Sequence, residues 1–457
     1  MTQLDRSECP IELTSVILES GCGSEETASD RQHLRESSTC MGTITSHAEE
    51  TANVQELPAI DGGWRAWRFV ASAFMVEVMI WGYEFSYGIF QEFSTVSIAA
   101  VGTSAIAIQY GETLLLSLFF ERYPDLLKRS VWVALGVATL CLLLASFVSQ
   151  ISHLIMLQGV IFGIAGGFLY YPILVLLPQW FHRRRGLATG IIFSGSGFGG
   201  FAFPFLFQAL LERYGFRWTL RIWALVTLFG MQPRLPVPKF PRGQRPRFIP
   251  PQMHFLKSTL FWLLSICTIM HAMSFYSVSL YIATFTKVIS TPLSASIVLA
   301  IFNSSGTVCQ VVMGHLCDRF SYAWMMAGST LVSGLAVFLL WGFARELTLI
   351  FLFVIIYGGF MGGYNALGPA SASDCAGNKP EQSSIIWACI FFIRGIAVVA
   401  GPLVSGVLYG VGETTESAGS MYGGYGFKAL EVFVGTCTVA ASLGSVMMAI
   451  TRRKVQE

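Results

Sequence analysis

The stretch LTLIFLFVIIYGGFMGGYNALGPA, residues 347–370, carries no charged side chain from end to end. A helix rises about 1.5 Å per residue, so a run of this length exceeds the ~30 Å hydrocarbon core of a bilayer. Comparable runs follow one another from Trp64 to Ile450. They predict spans at roughly 65–90, 97–119, 131–149, 153–177, 187–210, 218–231, 258–284, 294–316, 322–343, 347–370, 384–409 and 427–450. Helices are the expected form, because at these lengths only a helix satisfies its own backbone in lipid. The sixth run is unusually short: residues 218–231 reach only about 21 Å.

Of the 457 residues 53% are hydrophobic and only 12% charged, with a mean hydropathy of +0.59. Soluble domains carry about 25% charged residues. The expected class is therefore an all-α integral membrane protein of about twelve transmembrane helices. A net charge of +2 gives no reason to expect nucleic acid as a partner. Ten scattered cysteines contain no Cys-x-x-Cys pair, so neither a disulfide framework nor a zinc site is indicated.

Residues 1–60 are polar, rich in Ser, Thr and Glu, and lack the layout of a signal peptide; a disordered cytosolic tail is expected. The first lysine is Lys128, which excludes lysine-directed modification of that tail and leaves phosphorylation open. Residues 232–257 hold Pro233, Pro236, Pro238, Pro241, Pro246, Pro250 and Pro251 among basic residues. They cannot be helical throughout and read as a cytosolic linker between two six-helix halves, 61–231 and 258–450, with 451–457 as the C-terminus. Lys and Arg in the loops on the linker's side outnumber those opposite by 17 to 6, the latter including Arg213, Arg217 and Arg221. That bias predicts both termini in the cytosol.

Just before the first span stands Asp61-Gly62-Gly63-Trp64-Arg65-Ala66-Trp67. Physically, the glycines permit a tight turn, and Trp64 and Trp67 suit the headgroup belt. Gly314-His315-Leu316-Cys317-Asp318-Arg319 follows span eight, and Trp180 to Ala188, with its three arginines, joins spans four and five. Span eleven contains Arg394-Gly395 and Gly401-Pro402. Together these resemble the fungal monocarboxylate-transporter-like members of the major facilitator superfamily, over roughly residues 60–450. The resemblance implies a major facilitator fold around a central cavity, with Gly314, Asp318 and Arg319 in a loop that latches the cytosolic side. Phe120-Glu121-Arg122 after span two keeps acid beside base but lacks the motif's glycine. Span eight also has no arginine, unlike the family's animal members, which speaks against a simple lactate-type mechanism.

Gly195-Ser196-Gly197-Phe198-Gly199-Gly200 formally matches a dinucleotide-binding pattern, but it lies inside an apolar helix with no preceding strand. Close helix packing is the expected role. The Asn303-Ser304-Ser305 sequon falls within a span and is discounted. No ATP-binding phosphate loop and no protease or hydrolase motif occurs, so an enzyme is not expected and energy must come from a gradient.

An ionisable side chain inside the bilayer costs at least ~2.5 kcal/mol and marks a candidate site. Glu77 lies near mid-membrane in the first span, and Glu84 falls seven residues later on the same face, with Trp81 between them. Glu77 is a candidate proton carrier; the alternative is a carboxyl bonded to neighbouring helices. Glu112 and Arg394 lie at matching depths. Because spans two and eleven meet between the halves in the fold this chain resembles, they are candidates for a salt bridge that opens in the cycle. Arg394 binding an anionic substrate and a purely structural Arg394 are the alternatives. His271, Asn303, Tyr276, Gln109 and Asn365 are candidate secondary contacts.

The expected function is secondary active transport of a small organic solute, a monocarboxylate-like anion or secondary metabolite, by alternating access, with or without proton coupling. The short sixth span motivates the alternative of a membrane sensor or non-transporting relative. Expected partners are that small molecule, protons if coupled, and the lipid bilayer. No cofactor, metal or obligatory protein partner is expected. The plasma membrane is the expected location, the vacuolar membrane the alternative.

Overall fold

A computed structural model of the protein describes residues 62–86, 99–181, 183–231, 253–377, 382–415 and 422–456. The tail 1–60, Asp61, His182, Lys379 and linker residues 232–252 lie outside the described residues; the linker's last five, Met253–Lys257, form a 3-10 turn.

Among the described residues the fold is helical and has no strand. Helix α1 is Trp64–Phe85, α2 is Ala99–Arg122 and α3 is Leu127–Ala145. Helix α4 runs from Ile151 to Trp180 through a π-helical stretch, Ile155–Ile161. The 46-residue run Arg185–Gly230 is two helices, broken at Gly215 (φ 72°, ψ 171°). Only glycine takes that backbone readily, and it separates α5 (185–214) from α6 (216–230). Helix α7 is Thr259–Ile289, α8 is Pro292–Cys317 and α9 runs from Tyr322 to Trp341. Helix α10 runs from Leu347 to Ala376, interrupted by a 3-10 turn at Asn365–Leu367. Helices α11, Ser383–Thr415, and α12, Lys428–Gln456, complete the set.

Nine described helices are long and apolar enough to cross a membrane. The break at Gly215 divides one of them into the long α5 and the shorter α6. Helix α1 carries Arg65, Arg68, Glu77 and Glu84 within its apolar run, and α2 contributes a shorter apolar segment, Ser104–Phe120. Twelve helices therefore stand where the apolar runs predict them.

Several ends differ from expectation. Helix α12 continues past residue 450 to Gln456, because Arg452 is held by Asp374 at 3.0 Å and donates to Ser321 at 3.0 Å. Helix α6 spans about 22 Å and is as short as expected. It is nonetheless keyed into the bundle: Trp223 is fully buried, its ring 4.6 and 4.8 Å from those of Phe203 and Phe207 on α5 and 5.9 Å from Tyr83 on α1. Trp64 is exposed, whereas Trp67 is not a second belt residue; it packs edge-on against Phe181 at 5.6 Å and ties α1 to the end of α4.

Small residues bring the helices together. A Cβ added to Gly199 would lie 2.6 Å from the Cα of Gly82, so α5 and α1 touch backbone to backbone. One Cβ on Gly197 would lie 2.9 Å from the carbonyl oxygen of Asn303, which sets the other face of α5 against α8. The glycine-rich stretch is thus a two-sided packing seam, as expected in lipid, where small residues allow close approach. Helix α8 in turn meets α10 through Gly306 and Gly362, and α11 packs on α2 and α7. Six helices precede residues 232–252 and six follow.

Candidate functional site

A central cavity lies where α1, α2, α4 and α5 face α7, α8, α10 and α11. Helix α1 supplies Glu77, Trp81 and Phe85; α11 supplies Trp387, Phe391 and Arg394 at the four- and three-residue spacing that puts them on one face. Both charged groups are almost wholly buried, Glu77 at 2% and Arg394 at 6% exposure.

The Arg394 guanidinium lies over two rings, 5.6 Å from the centroid of Tyr110 and 6.0 Å from that of Tyr276, whose hydroxyls hydrogen-bond to each other at 3.0 Å. Such placement attracts a cation to the ring face. Around this pair the aromatic wall continues: Trp81 sits 4.9 Å from Tyr110 and 5.5 Å from Tyr170, and Phe391 sits 5.1 Å from Tyr110 and 4.7 Å from Trp387. Within this lining Glu77 Oε1, Trp81 Nε1, Gln310 Oε1, Asn365 Oδ1, Trp387 Nε1 and Arg394 Nε have no hydrogen-bond partner. Buried polar groups are normally paired, so a cluster of unpaired ones around one cavity is suited to a polar guest.

The structure gathers Glu77, Trp81, Asn303 and Arg394 at the cavity, with Tyr276 and Asn365. It does not bring Glu84, Glu112 or His271 into the lining. Glu84 is on the expected stripe, but its Oε1 accepts a short hydrogen bond from Gln109. Glu112 and Arg394 are not joined in this conformation. Glu112 lies against α4, occupying the space a Cβ on Gly167 would need, while Arg394 turns to the tyrosines. His271 donates from Nε2 to the carbonyl of Met361 at 2.9 Å and stacks on Tyr364 at 4.0 Å, behind the lining ring of Phe275. Asn303 donates to the Gly200 carbonyl at 3.3 Å, inside the bundle. Sequence reasoning missed Tyr110, Tyr170, Gln310, Trp387 and Phe391. The spacing of Trp387 and Phe391 from Arg394 was the available signal.

The glycine motif forms a second cluster of contacts at the end of the bundle where α8 finishes and α5 begins. Asp318 accepts from the backbone N–H groups of Gly186 at 2.7 Å and Leu187 at 3.0 Å. A carboxylate here satisfies otherwise orphaned amides and the positive end of the helix dipole. Gly314 makes the approach possible, since a Cβ on it would lie 2.9 Å from Gly190 Cα. Arg185 donates to Ser373 on α10, and Tyr322 donates to Asp374 at 2.7 Å, beside Arg452. This end is clasped from α5 through α8, α9 and α10 to α12. Gly63, at φ 89°, has a backbone conformation that favours glycine, which fits the turn expected of the Gly62-Gly63 pair at the start of α1.

The family model described as Major Facilitator Superfamily matches residues 69–402 and 264–453. Similar proteins include the aspyridones efflux protein of Emericella nidulans, 26% identical over 77% of this chain and 73% of its own length. An MFS-type transporter of Gibberella zeae is 26% identical over 88% of this chain and 92% of its own. Another, from Aspergillus niger, is 27% identical over 76% and 81%.

Proposed function

The chain belongs to the major facilitator superfamily, and from that premise we propose that it is a secondary transporter carrying a small organic anion through the central cavity by alternating access, with Glu77 as the proton-binding group. The observation that carries this reading is one aromatic-walled cavity holding a buried guanidinium and a buried carboxyl, each with an unpaired polar atom. A guanidinium without a carboxylate partner suits an incoming anion. A carboxyl in the same cavity can take up a proton as the anion enters and release it as the anion leaves, which couples the two movements.

Alternating access is supported by the clasp of Asp318 on α5, which closes one end of the bundle and has to release for that end to open. The excess of Lys and Arg in the same loops favours that end as the cytosolic one, with both termini beside it in the cytosol. Two six-helix halves, 61–231 and 258–450, are the units proposed to rock about the cavity. The buried packing of Trp223 argues for α6 as an integral helix, and relatives named as transporters favour transport over a sensor role.

The test is flux of labelled monocarboxylates and a panel of small metabolites into proteoliposomes holding the full chain, beside Arg394→Met. Saturable flux of anions that Arg394→Met abolishes supports the reading. Absence of flux for every solute in a folded preparation overturns it.

A further inference from the structure

At the clasped end a second depression, of about 790 Å3, opens beside Asp318. Among the described residues it is lined by Arg183, Arg184 and Leu187 where α5 begins and by His315, Asp318 and Arg319 where α8 finishes. Three guanidiniums and an imidazole thus share one lining with a single carboxylate. That carboxylate is already engaged, since its two oxygens accept from the backbone N–H groups of Gly186 and Leu187. The tendency of basic residues to stay on one side of a membrane accounts for arginines in these loops, but not for their convergence from two distant loops on one concavity. Its volume falls in the range of ligand pockets, about 300–1,000 Å3.

Away from the depression the two helices turn apolar. On α8, His315 shares a face with Val312 and Val308, three and seven residues earlier, and both valines are exposed. On α5, Leu187 shares a face with Phe198, which is also exposed. Helices α5 and α8 run in opposite directions and pack through Gly190 and Gly314. Each apolar strip therefore starts at a residue of the basic lining and leads toward the membrane interior.

Arginine pairs with phosphate through two parallel N–H donors. The one diester of an ordinary phospholipid engages a single such fork and leaves the others unmet. Further phosphate groups on the same ligand answer them. A soluble polyphosphate would meet the basic lining and make no use of the apolar strips. We propose that this depression binds the headgroup of a phosphoinositide, an inositol phospholipid bearing phosphate monoesters besides its diester, with its acyl chains along the α5–α8 seam. The inference is independent of what the central cavity carries. It rests on this end facing the cytosol, the side on which such anionic lipids lie.

Three probes separate the elements: dioctanoyl phosphatidylinositol bisphosphate, dioctanoyl phosphatidylserine and inositol trisphosphate. Their binding to the purified full chain in neutral detergent is measured by native mass spectrometry at one ionic strength. Binding in detergent has no sidedness, so it tests the site apart from the orientation. The bisphosphate lipid should bind about tenfold more tightly than phosphatidylserine and about tenfold more tightly than the headgroup alone. Arg184→Gln with Arg319→Gln should weaken it about tenfold, and Arg184→Lys with Arg319→Lys should regain part of that loss, which a folding defect would not. Lys128→Gln with Arg129→Gln, which removes the same charge at the exposed start of α3, should change it by less than about twofold. Equal affinity for phosphatidylserine, an equal loss in the Lys128 and Arg129 pair, or inositol trisphosphate binding as tightly as the lipid overturns the inference. Selective binding by a chain that moves no solute upholds it and counts against transport instead.

Discussion

Replacing Asp318 by Asn should loosen the clasped end of the bundle. The carboxylate accepts from Gly186 at 2.7 Å and Leu187 at 3.0 Å, and hydrogen bonds to a charged group contribute about 1.5–3 kcal/mol each. The amide keeps one acceptor and turns an NH2 group toward the second backbone N–H, so roughly 2 kcal/mol of the arrangement is lost. Asp318 is solvent-exposed, and screening cuts this to about 1 kcal/mol. The clasp exists only while α5 and α8 are together, so the loss shifts the population toward the opened end by about fivefold. Cys317, half-buried beside Asp318, reports this directly. In a background with Cys317 as the sole cysteine, its rate of maleimide alkylation should rise about fivefold in Asp318→Asn. An unchanged rate, in protein of unchanged melting temperature, would refute the clasp as a determinant of that end's opening.

Three further outcomes are expected. Gly199→Ala should cost about 1–3 kcal/mol, because its Cβ meets Gly82 Cα and Val78 O, neither of which can move without separating α1 from α5; thermal unfolding in detergent checks this. Trp223→Ala should cost about 3–5 kcal/mol in the same assay, since the indole is fully buried between α1, α5 and α6; a neutral effect would make α6 a peripheral helix. Arg394→Met should weaken anion binding by roughly tenfold or more while Arg394→Lys recovers only part of it, because a lysine keeps the charge and loses the fork; equal binding by wild type and Arg394→Met would remove the guanidinium from recognition.

The helices were legible because apolar length is a one-dimensional property. Residues 347–370 announce a span without reference to any neighbour. What one dimension does not carry is rotation about each helix axis. Glu112 and Arg394 match in depth, yet two residues of helix turn by about 200°, so Tyr110 faces Arg394 while Glu112 faces Gly167 on α4. The same limit hid the aromatic wall: Phe, Tyr and Trp occur on every face of these spans, and nothing local separates Tyr170, which lines the cavity, from Trp223, which is core. Glu77 and Trp81 were legible because a polar or indole group in mid-span of a helix carries its own cost or anchor. Glu84 shared their stripe but its partner, Gln109, came from another helix. Asp318 was readable as a motif, whereas its target, the start of α5 more than a hundred residues away, emerged only from the fold.

The most direct test of the account is accumulation of a transported anion in proteoliposomes under an imposed pH gradient, wild type against Glu77→Gln, with solute exchange at equal pH measured in the same vesicles. A proton-coupled carrier predicts that wild type concentrates the anion several-fold above equilibrium, and that Glu77→Gln still exchanges solute but no longer concentrates it. Accumulation by Glu77→Gln equal to that of wild type would contradict the assignment of the proton to this carboxyl.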